Sequence, residues 1–257
     1  MQQLNTEILE ATLRNGVFNK GKAIVLFSGG LDSTTVLYKA LSDGYDVYPI
    51  SFNYKQRHAI ELQFAAKTLE KIGIDLGVNL KKRWKVFNLD FSGIEHSALI
   101  DLSMSIPKDR PIDDMDKGVP SSYVPMRNTI FLAYAAAYAD TIFASHIFIG
   151  VNCLDYSGYP DCRPEFIKSI LKTLTLGSRY ADDEKGRDAF CIHAPLMELN
   201  KAQIIKLGIS LGVDYSLTWS CYDPKITQGQ IVPCKVCDSC ILRMNGFRES
   251  NIGLAYI

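Results

Sequence analysis

The sequence predicts an α/β protein: a parallel five-stranded sheet flanked by helices, with a small cysteine-bearing region at the C-terminus. Three observations carry that expectation. Short apolar, partly β-branched runs alternate with helical patterns along most of the 257 residues. The first run, residues 23–27, leads through two glycines straight into a helix start. Four of the seven cysteines form a C-x12-C-x2-C-x2-C array near the end of the chain.

Residues 1–20 are polar and weakly patterned. Leu4, Ile8 and Leu13 could line one side of a short helix, or the segment could be a frayed extension. Residues 23–27 read as a buried strand. Gly29 and Gly30 permit a tight turn and close approach of backbone to a ligand. Asp32, Ser33 and Thr34 suit a first helical turn, and the helix continues through residues 36–41. Such a corner gathers free backbone N–H groups around one point, and the helix dipole strengthens their pull on an anion. No lysine follows the glycines, so this is not GxxxxGK[ST]; nor is it GxGxxG. The hydroxyls of Ser28, Ser33 and Thr34 can donate to phosphate oxygens. Asp32 cannot donate, so its expected task is to hold Mg²⁺ or to orient the loop.

Residues 47–52 read as a second strand, with Pro49 suited to an edge or a strand start. Residues 53–58 follow its carboxyl end, where open parallel sheets bind ligands. A helix is expected over 59–72, with Gly73 beyond its end, and a third strand over 85–89. Residues 90–122 lose periodicity and carry Pro107, Pro111 and Pro120; a loop this long is functional or mobile. Its acidic cluster, Asp113, Asp114 and Asp116, reads as a solvated turn. Asn128 is placed to cap a buried helix over 129–139. Arg127 stands at that helix's mouth, suited to a phosphate or carboxylate, or to solvent.

Residues 146–151 read as a fourth strand. The loop 152–163 then holds two tyrosines, two carboxylates, a glycine, a proline and an arginine. Tyrosines can stack, carboxylates accept from ring N–H groups and arginine pairs with an anion, a mixture suited to a planar polar ligand. Pro164 and Glu165 open a helix to about residue 176. Residues 190–194 are a fifth strand, and Asn200 with Gln203 make a capping pair before a helix over 201–211. This divides the chain into an N-terminal extension (1–20), an α/β domain (21–212) and a C-terminal region (213–257).

Cys221, Cys234, Cys237 and Cys240 suit a closed tetrahedral structural zinc site, with a [4Fe–4S] cluster as the competing reading. His58, His96, His146 and His193 are scattered and make no metal spacing. Cys153 and Cys162 read as small buried hydrophobes. Lysine plus arginine and aspartate plus glutamate both number 28, so formal charge is zero; a large RNA partner usually demands a basic excess. No apolar run approaches the ~18 residues of a membrane span. The N-terminus lacks a basic flank followed by an apolar core, and the metal-like cysteine array fits a reducing cytosol.

The loop at residues 28–33 resembles the SGGxDS loop of the PP-loop ATP pyrophosphatases. Five blocks together resemble the QueC family of 7-cyano-7-deazaguanine synthases. They are Phe27-Ser28-Gly29-Gly30-Leu31-Asp32-Ser33-Thr34-Thr35, Phe52-Asn53-Tyr54-Lys55-Gln56-Arg57-His58, Val124-Pro125-Met126-Arg127-Asn128, Tyr156-Ser157-Gly158-Tyr159-Pro160-Asp161-Cys162-Arg163, and the cysteine array with Leu242-Arg243. The family pattern has Gln where Leu31 stands and Gly where Met126 stands; a side chain at 126 could narrow the pocket or shift Arg127. Residues 1–20 extend the family's usual start.

The resemblance implies a Rossmann-like PP-loop sheet and a reaction joining 7-carboxy-7-deazaguanine and ammonia, at the expense of ATP, to give 7-cyano-7-deazaguanine. It implies ATP contacts at Phe27, Ser28, Gly29, Gly30, Leu31, Asp32, Ser33, Thr34, Thr35, Val36 and Leu37. Substrate contacts fall at Tyr54, Arg57, Arg127, Asn128, Tyr156, Tyr159, Asp161 and Arg163, with catalytic roles for Asp32, Ser33, Arg127 and Arg163. Lys55 is a further candidate cation. Mg²⁺ and a structural Zn²⁺ complete the set, in a cytoplasmic homodimer with no nucleic-acid or membrane partner. The rival readings are a tRNA-thiolating PP-loop enzyme, a defence-system relative that attaches a deazaguanine to a protein partner, and a non-enzymatic zinc module.

Overall fold

The computed structural model describes residues 18–253, apart from 58–59, 92, 95, 116–117, 155–157, 180 and 182–189. His58, Asp116 and Tyr156, and the 1–17 part of the N-terminal extension, lie outside the described residues.

Strand β1 (Lys22–Leu26) sends Ala23 and Val25 to one buried layer and Ile24 and Leu26 to the other. A strand apolar on both faces belongs at the centre of a parallel sheet covered on both sides. The chain continues as α1 (Leu31–Ser42), β2 (Asp46–Asn53), α2 (Glu61–Leu76), β3 (Lys85–Asn88), the single-turn α3 (Ile112–Met115), α4 (Arg127–Ile142), β4 (His146–Phe148), α5 (Pro164–Leu176), β5 (Cys191–His193), α6 (Lys201–Ser210), the hairpin β6 (Lys225–Thr227) and β7 (Gln230–Val232), and α7 (Asp238–Ser250). The five parallel strands lie in the order β3-β2-β1-β4-β5. Residues of α1, α2, α6 and α7 fill one layer, through Val36, Leu69, Ile204 and Phe247; Leu132 of α4 and Ile167 of α5 fill the other.

The order reverses between β1 and β4, because β2 and β3 are wound to one side and β5 to the other. The carboxyl ends of strands flanking such a switch point diverge and leave a crevice. The fold therefore aims residues 27–33 and 149–152 at one place.

Several elements differ from expectation, each for a local reason. Pro49 lies in an interior strand, yet β2 pairs with β3 only from Ile50 onward, so the proline sits where the strand is still an edge. Helix α2 runs through Gly73 and stops at Gly77, whose φ of 69° supplies the left-handed cap. Helix α4 begins at Arg127, so Asn128 is inside its first turn and does not cap it. That helix is buried on one face only: Leu132, Ala135 and Ala139 face the sheet, whereas Tyr134 is exposed. The capping pair at Asn200 and Gln203 forms as a full reciprocal box.

Residues 213–253 are woven into both layers. Tyr215 and Phe247 are fully buried in one, and the four array cysteines are packed in the other. Tyr215 places its hydroxyl 2.7 Å from Thr35 Oγ1, tying this region to the middle of α1.

Candidate active site

A cleft with about 1290 Å³ of open volume, including its mouth, lies over the switch point. Its floor is the turn after β1. Gly29 holds φ at +91°, and an added Cβ there would stand 2.4 Å from Glu61 O and 2.6 Å from Ala65 N. Only glycine permits the loop to lie this close to α2. The turn then hands over to α1 with Gly30 as N-cap and no side chain bonding the free first-turn N–H groups. Ser33 Oγ accepts from Ser28 N at 3.1 Å and lies 3.0 Å from Ser28 Oγ, which in turn accepts from Gly30 N at 3.1 Å. The serine hydroxyls thus take up the N–H groups of Ser28 and Gly30, while no side chain caps the start of α1, the helix end that attracts an oxyanion.

Asp32, in that first turn, receives Lys201 Nζ on both oxygens, at 2.8 and 2.9 Å. Lys201 is the first residue of α6 and is almost buried. The pair accounts for one of the two tasks expected of Asp32: its carboxylate orients the corner through Lys201. Arg243 of α7 also lines the cleft. It donates to Thr218 Oγ1 at 2.9 Å, Ser220 Oγ at 3.1 Å and Tyr215 O at 2.8 Å. Burial lowers its pKa to about 10, so it remains a cation at neutral pH. The C-terminal region also clamps the loop directly, because Trp219 N–H donates to Gly29 O at 3.0 Å.

The opposite wall carries Arg127, 3.5 Å from the Tyr54 hydroxyl. Burial opposes its charge, but Tyr54, Tyr159, Tyr222 and Asp161 around it outweigh that and raise its pKa. Tyr159 lines the cleft and is held by Ser122, hydroxyl to hydroxyl at 2.8 Å. Asp161 is buried and is not part of the cleft lining. Its Oδ2 accepts from Asn128 N at 3.0 Å, so it acts as the missing acceptor for the N-terminus of α4. Asn128 Nδ2 returns a bond to Asp161 O at 3.0 Å. Burial pushes the Cys162 thiol up to about 12, which keeps it protonated and no nucleophile.

Of the expected residues, Phe27, Ser28, Gly30, Leu31, Asp32, Ser33, Tyr54, Arg127, Asn128 and Tyr159 line one cleft. Thr34, Thr35, Val36 and Leu37 are buried along α1 and are not part of its lining. Arg57 donates to Asp101 O at 2.9 Å and Met104 O at 2.6 Å, so it anchors the 90–122 loop. Arg163 is exposed at the start of α5, and Lys55 is exposed as well. Met126 stands at φ 55°, a left-handed position that explains a glycine there in the family pattern. Its side chain is 55 % exposed and outside the lining, so it does not narrow the cleft. Lys201, Trp219, Tyr222 and Ser220 are lining residues that the sequence did not single out. Lys201 stood beside a recognised helix cap, which was the available signal.

Next to this wall, Cys221, Cys234, Cys237 and Cys240 are buried with their sulfurs within 4.8 Å of one another. Cys234 N–H donates to Cys221 Sγ at 3.2 Å, and Cys237 N–H to Cys234 Sγ at 3.3 Å. Hydrogen bonds from the Cys221 and Cys240 thiols hold Cys237 far below the ordinary thiol value. Four convergent thiols steadied by backbone N–H groups fit a metal ion. Among the described residues no helix is long and apolar enough to cross a membrane.

A 3-2-1-4-5 parallel sheet with an SGGxDS corner at its switch point defines the PP-loop class of nucleotide-binding α/β proteins. Residues 22–251 match the family described as queuosine biosynthesis protein QueC, and the chain belongs to that family. A 7-cyano-7-deazaguanine synthase of Trichodesmium erythraeum is 46% identical over 230 residues, covering 89% of this chain and 96% of that protein. The enzyme of the same name from Rhodopirellula baltica is 46% identical over 232 residues, covering 90% and 89%. That of Desulfatibacillum aliphaticivorans is 47% identical over 233 residues, covering 91% and 94%. Among solved structures, a 4-thiouridine synthetase–RNA complex with bound ATP aligns at 18% identity and a TM-score of 0.45, covering 89% of this chain and 53% of that one.

Proposed function

We propose that this protein converts 7-carboxy-7-deazaguanine and ammonia to 7-cyano-7-deazaguanine at the expense of ATP. The observation that carries the reading is one cleft with a phosphate-type corner, Ser28 to Ser33, on one side and Arg127 among tyrosines on the other. The near-full-length identity to synthases of that name supports it.

A carboxylate is a poor electrophile, because oxide is a poor leaving group. Its oxygen attacks the α-phosphorus of ATP, pyrophosphate leaves, and an acyl-adenylate forms. Ammonia displaces AMP from that adduct and leaves an amide. The amide oxygen then attacks the α-phosphorus of a second ATP and a second pyrophosphate leaves; the oxygen departs with AMP as the amide nitrogen gives up its two protons and the nitrile forms. The chain's part in these steps is positioning and charge stabilisation. The corner's N–H groups and the hydroxyls of Ser28 and Ser33 receive the departing pyrophosphate. Lys201 and Arg243 offset its charge. Arg127 receives the substrate carboxylate, and Tyr54 and Tyr159 supply the faces and hydroxyls for a flat heterocycle. Asp161 contributes by holding the start of α4.

Zinc in the four-cysteine centre ties residues 213–253 to the corner and takes no part in the chemistry, since four thiolates leave no open position. A cytoplasmic homodimer without a nucleic-acid partner is the assembly we expect, on the neutral charge and the family resemblance.

The test is direct. Protein, ATP, magnesium and ammonium are incubated with 7-carboxy-7-deazaguanine, and product masses are followed. The amide and then the nitrile are expected. No ATP turnover dependent on that acid would remove the reading.

A further inference from the structure

His146, Cys191 and His193 are far apart in sequence but meet on one face of the sheet. β4 and β5 pair in parallel with His146 opposite Cys191 and Phe148 opposite His193. Alternation along each strand then puts all three on the same side, with Phe148. Their ligating atoms lie within 4.8 Å of one another, and His146 Nδ1 is 3.0 Å from His193 Nε2. His146 and Cys191 open their strands, so the group stands toward the amino end of the sheet, whereas the cleft lies over its carboxyl end.

From this juxtaposition we propose a second metal site, in which His146, His193 and Cys191 hold a borderline-soft divalent ion of the zinc type. Four considerations support it. Two imidazole nitrogens and a thiolate are the donor types zinc prefers. Tetrahedral bonds of about 2.0–2.3 Å set ligand atoms about 3.3–3.8 Å apart, so the group needs only a small contraction at sulfur and expansion at nitrogen. A nitrogen–nitrogen contact of 3.0 Å requires one ring to accept, so at least one imidazole is in the neutral, ligating form. All three residues are half-buried, and Tyr45 packs edge-on against His146 at 4.8 Å, which fixes that ring. Lys20, seated over the Tyr45 ring, and Lys39 oppose a cation here, and burial raises the Cys191 thiol, whose proton the ion must displace; Asp43 favours the cation. Three protein ligands leave a fourth position for water. The ion would pin the three-residue strand β5 to β4.

The experiment counts metal in the full-length protein. Wild type and Cys191→Ala are equilibrated with excess Zn²⁺, freed of unbound ion and analysed for zinc per chain. A fall of one equivalent from wild type to variant is expected, whatever the four-cysteine centre holds. Wild type holding one zinc per chain, in the four-cysteine centre alone, should on addition of Co²⁺ give a thiolate-to-cobalt charge-transfer band that Cys191→Ala abolishes. His193→Gln should weaken Co²⁺ at this site more than about tenfold, and His146→Gln serves should another variant fail to fold. Equal zinc content in wild type and folded variants, or no cobalt band in wild type, overturns the proposal.

Discussion

Lys201 Nζ bridges both carboxylate oxygens of Asp32, joining the first turn of α6 to the first turn of α1. Two helix N-termini and a lysine converge at this edge of the cleft, and Asp32 is the anion that balances them. A polyphosphate entering the corner meets that positive field. Truncating Lys201 leaves Asp32 uncompensated beside the incoming phosphates. Lys201→Ala should therefore lower kcat/KM for ATP by about 100-fold, as loss of one charge-stabilising donor does elsewhere. Asp32→Asn should cost about tenfold, since Lys201 keeps its charge. Steady-state kinetics with varied ATP decide; a Lys201→Ala enzyme within twofold of wild type would contradict the role.

Gly246 makes room for that lysine. A Cβ at 246 would lie 2.4 Å from Lys201 Cγ and 2.9 Å from Ile205 Cδ1. Gly246→Ala should destabilise the fold by about 1–3 kcal/mol through overpacking and should raise KM for ATP as Lys201 is displaced. The signature is coupling: in a Lys201→Ala background the added methyl should cost less, because the side chain it strikes has gone. Thermal unfolding of the four proteins measures this, and equal costs in both backgrounds would exclude the contact.

What the sequence made legible was local. Residues 23–35 carry strand, turn and helix start within thirteen positions, so the corner that floors the cleft could be read from residue types alone. Asp161 reads as a ligand by residue type; its bond from Asn128 N–H is a contact between distant segments that type does not reveal. Lys201, Trp219 and Tyr222 reach the cleft only through contacts distant in sequence. His146, Cys191 and His193 have no spacing to recognise, because strand pairing alone assembles them.

That placement of Asp161 sets a prediction unlike the one for a ligand. Asp161 supplies the side-chain acceptor that Met126, the N-cap of α4, does not provide. Asp161→Ala should cost about 1–2 kcal/mol of stability, the worth of a helix cap. Because Asn128 adjoins Arg127, KM for the acid substrate should rise while KM for ATP stays near wild type. A variant as stable as wild type, or one affected equally toward both substrates, would remove the capping role.

Metal removal tests how the C-terminal region supports the corner. Trp219, Ser220 and Tyr222 flank Cys221 and line the cleft, and Trp219 N–H holds Gly29 O. Arg243 follows Cys240 by one turn of α7 and lines the same wall. A chelator that strips the four-cysteine centre should release these groups together, since folding of such a centre is linked to its ion. ATP affinity should fall with ion content, Trp219 fluorescence should shift with it, and zinc added back should restore both. The loss should appear in binding as well as turnover, because the centre acts on the shape of the corner. A stripped protein that binds ATP as wild type does, but no longer turns over, would instead place the ion in the chemistry.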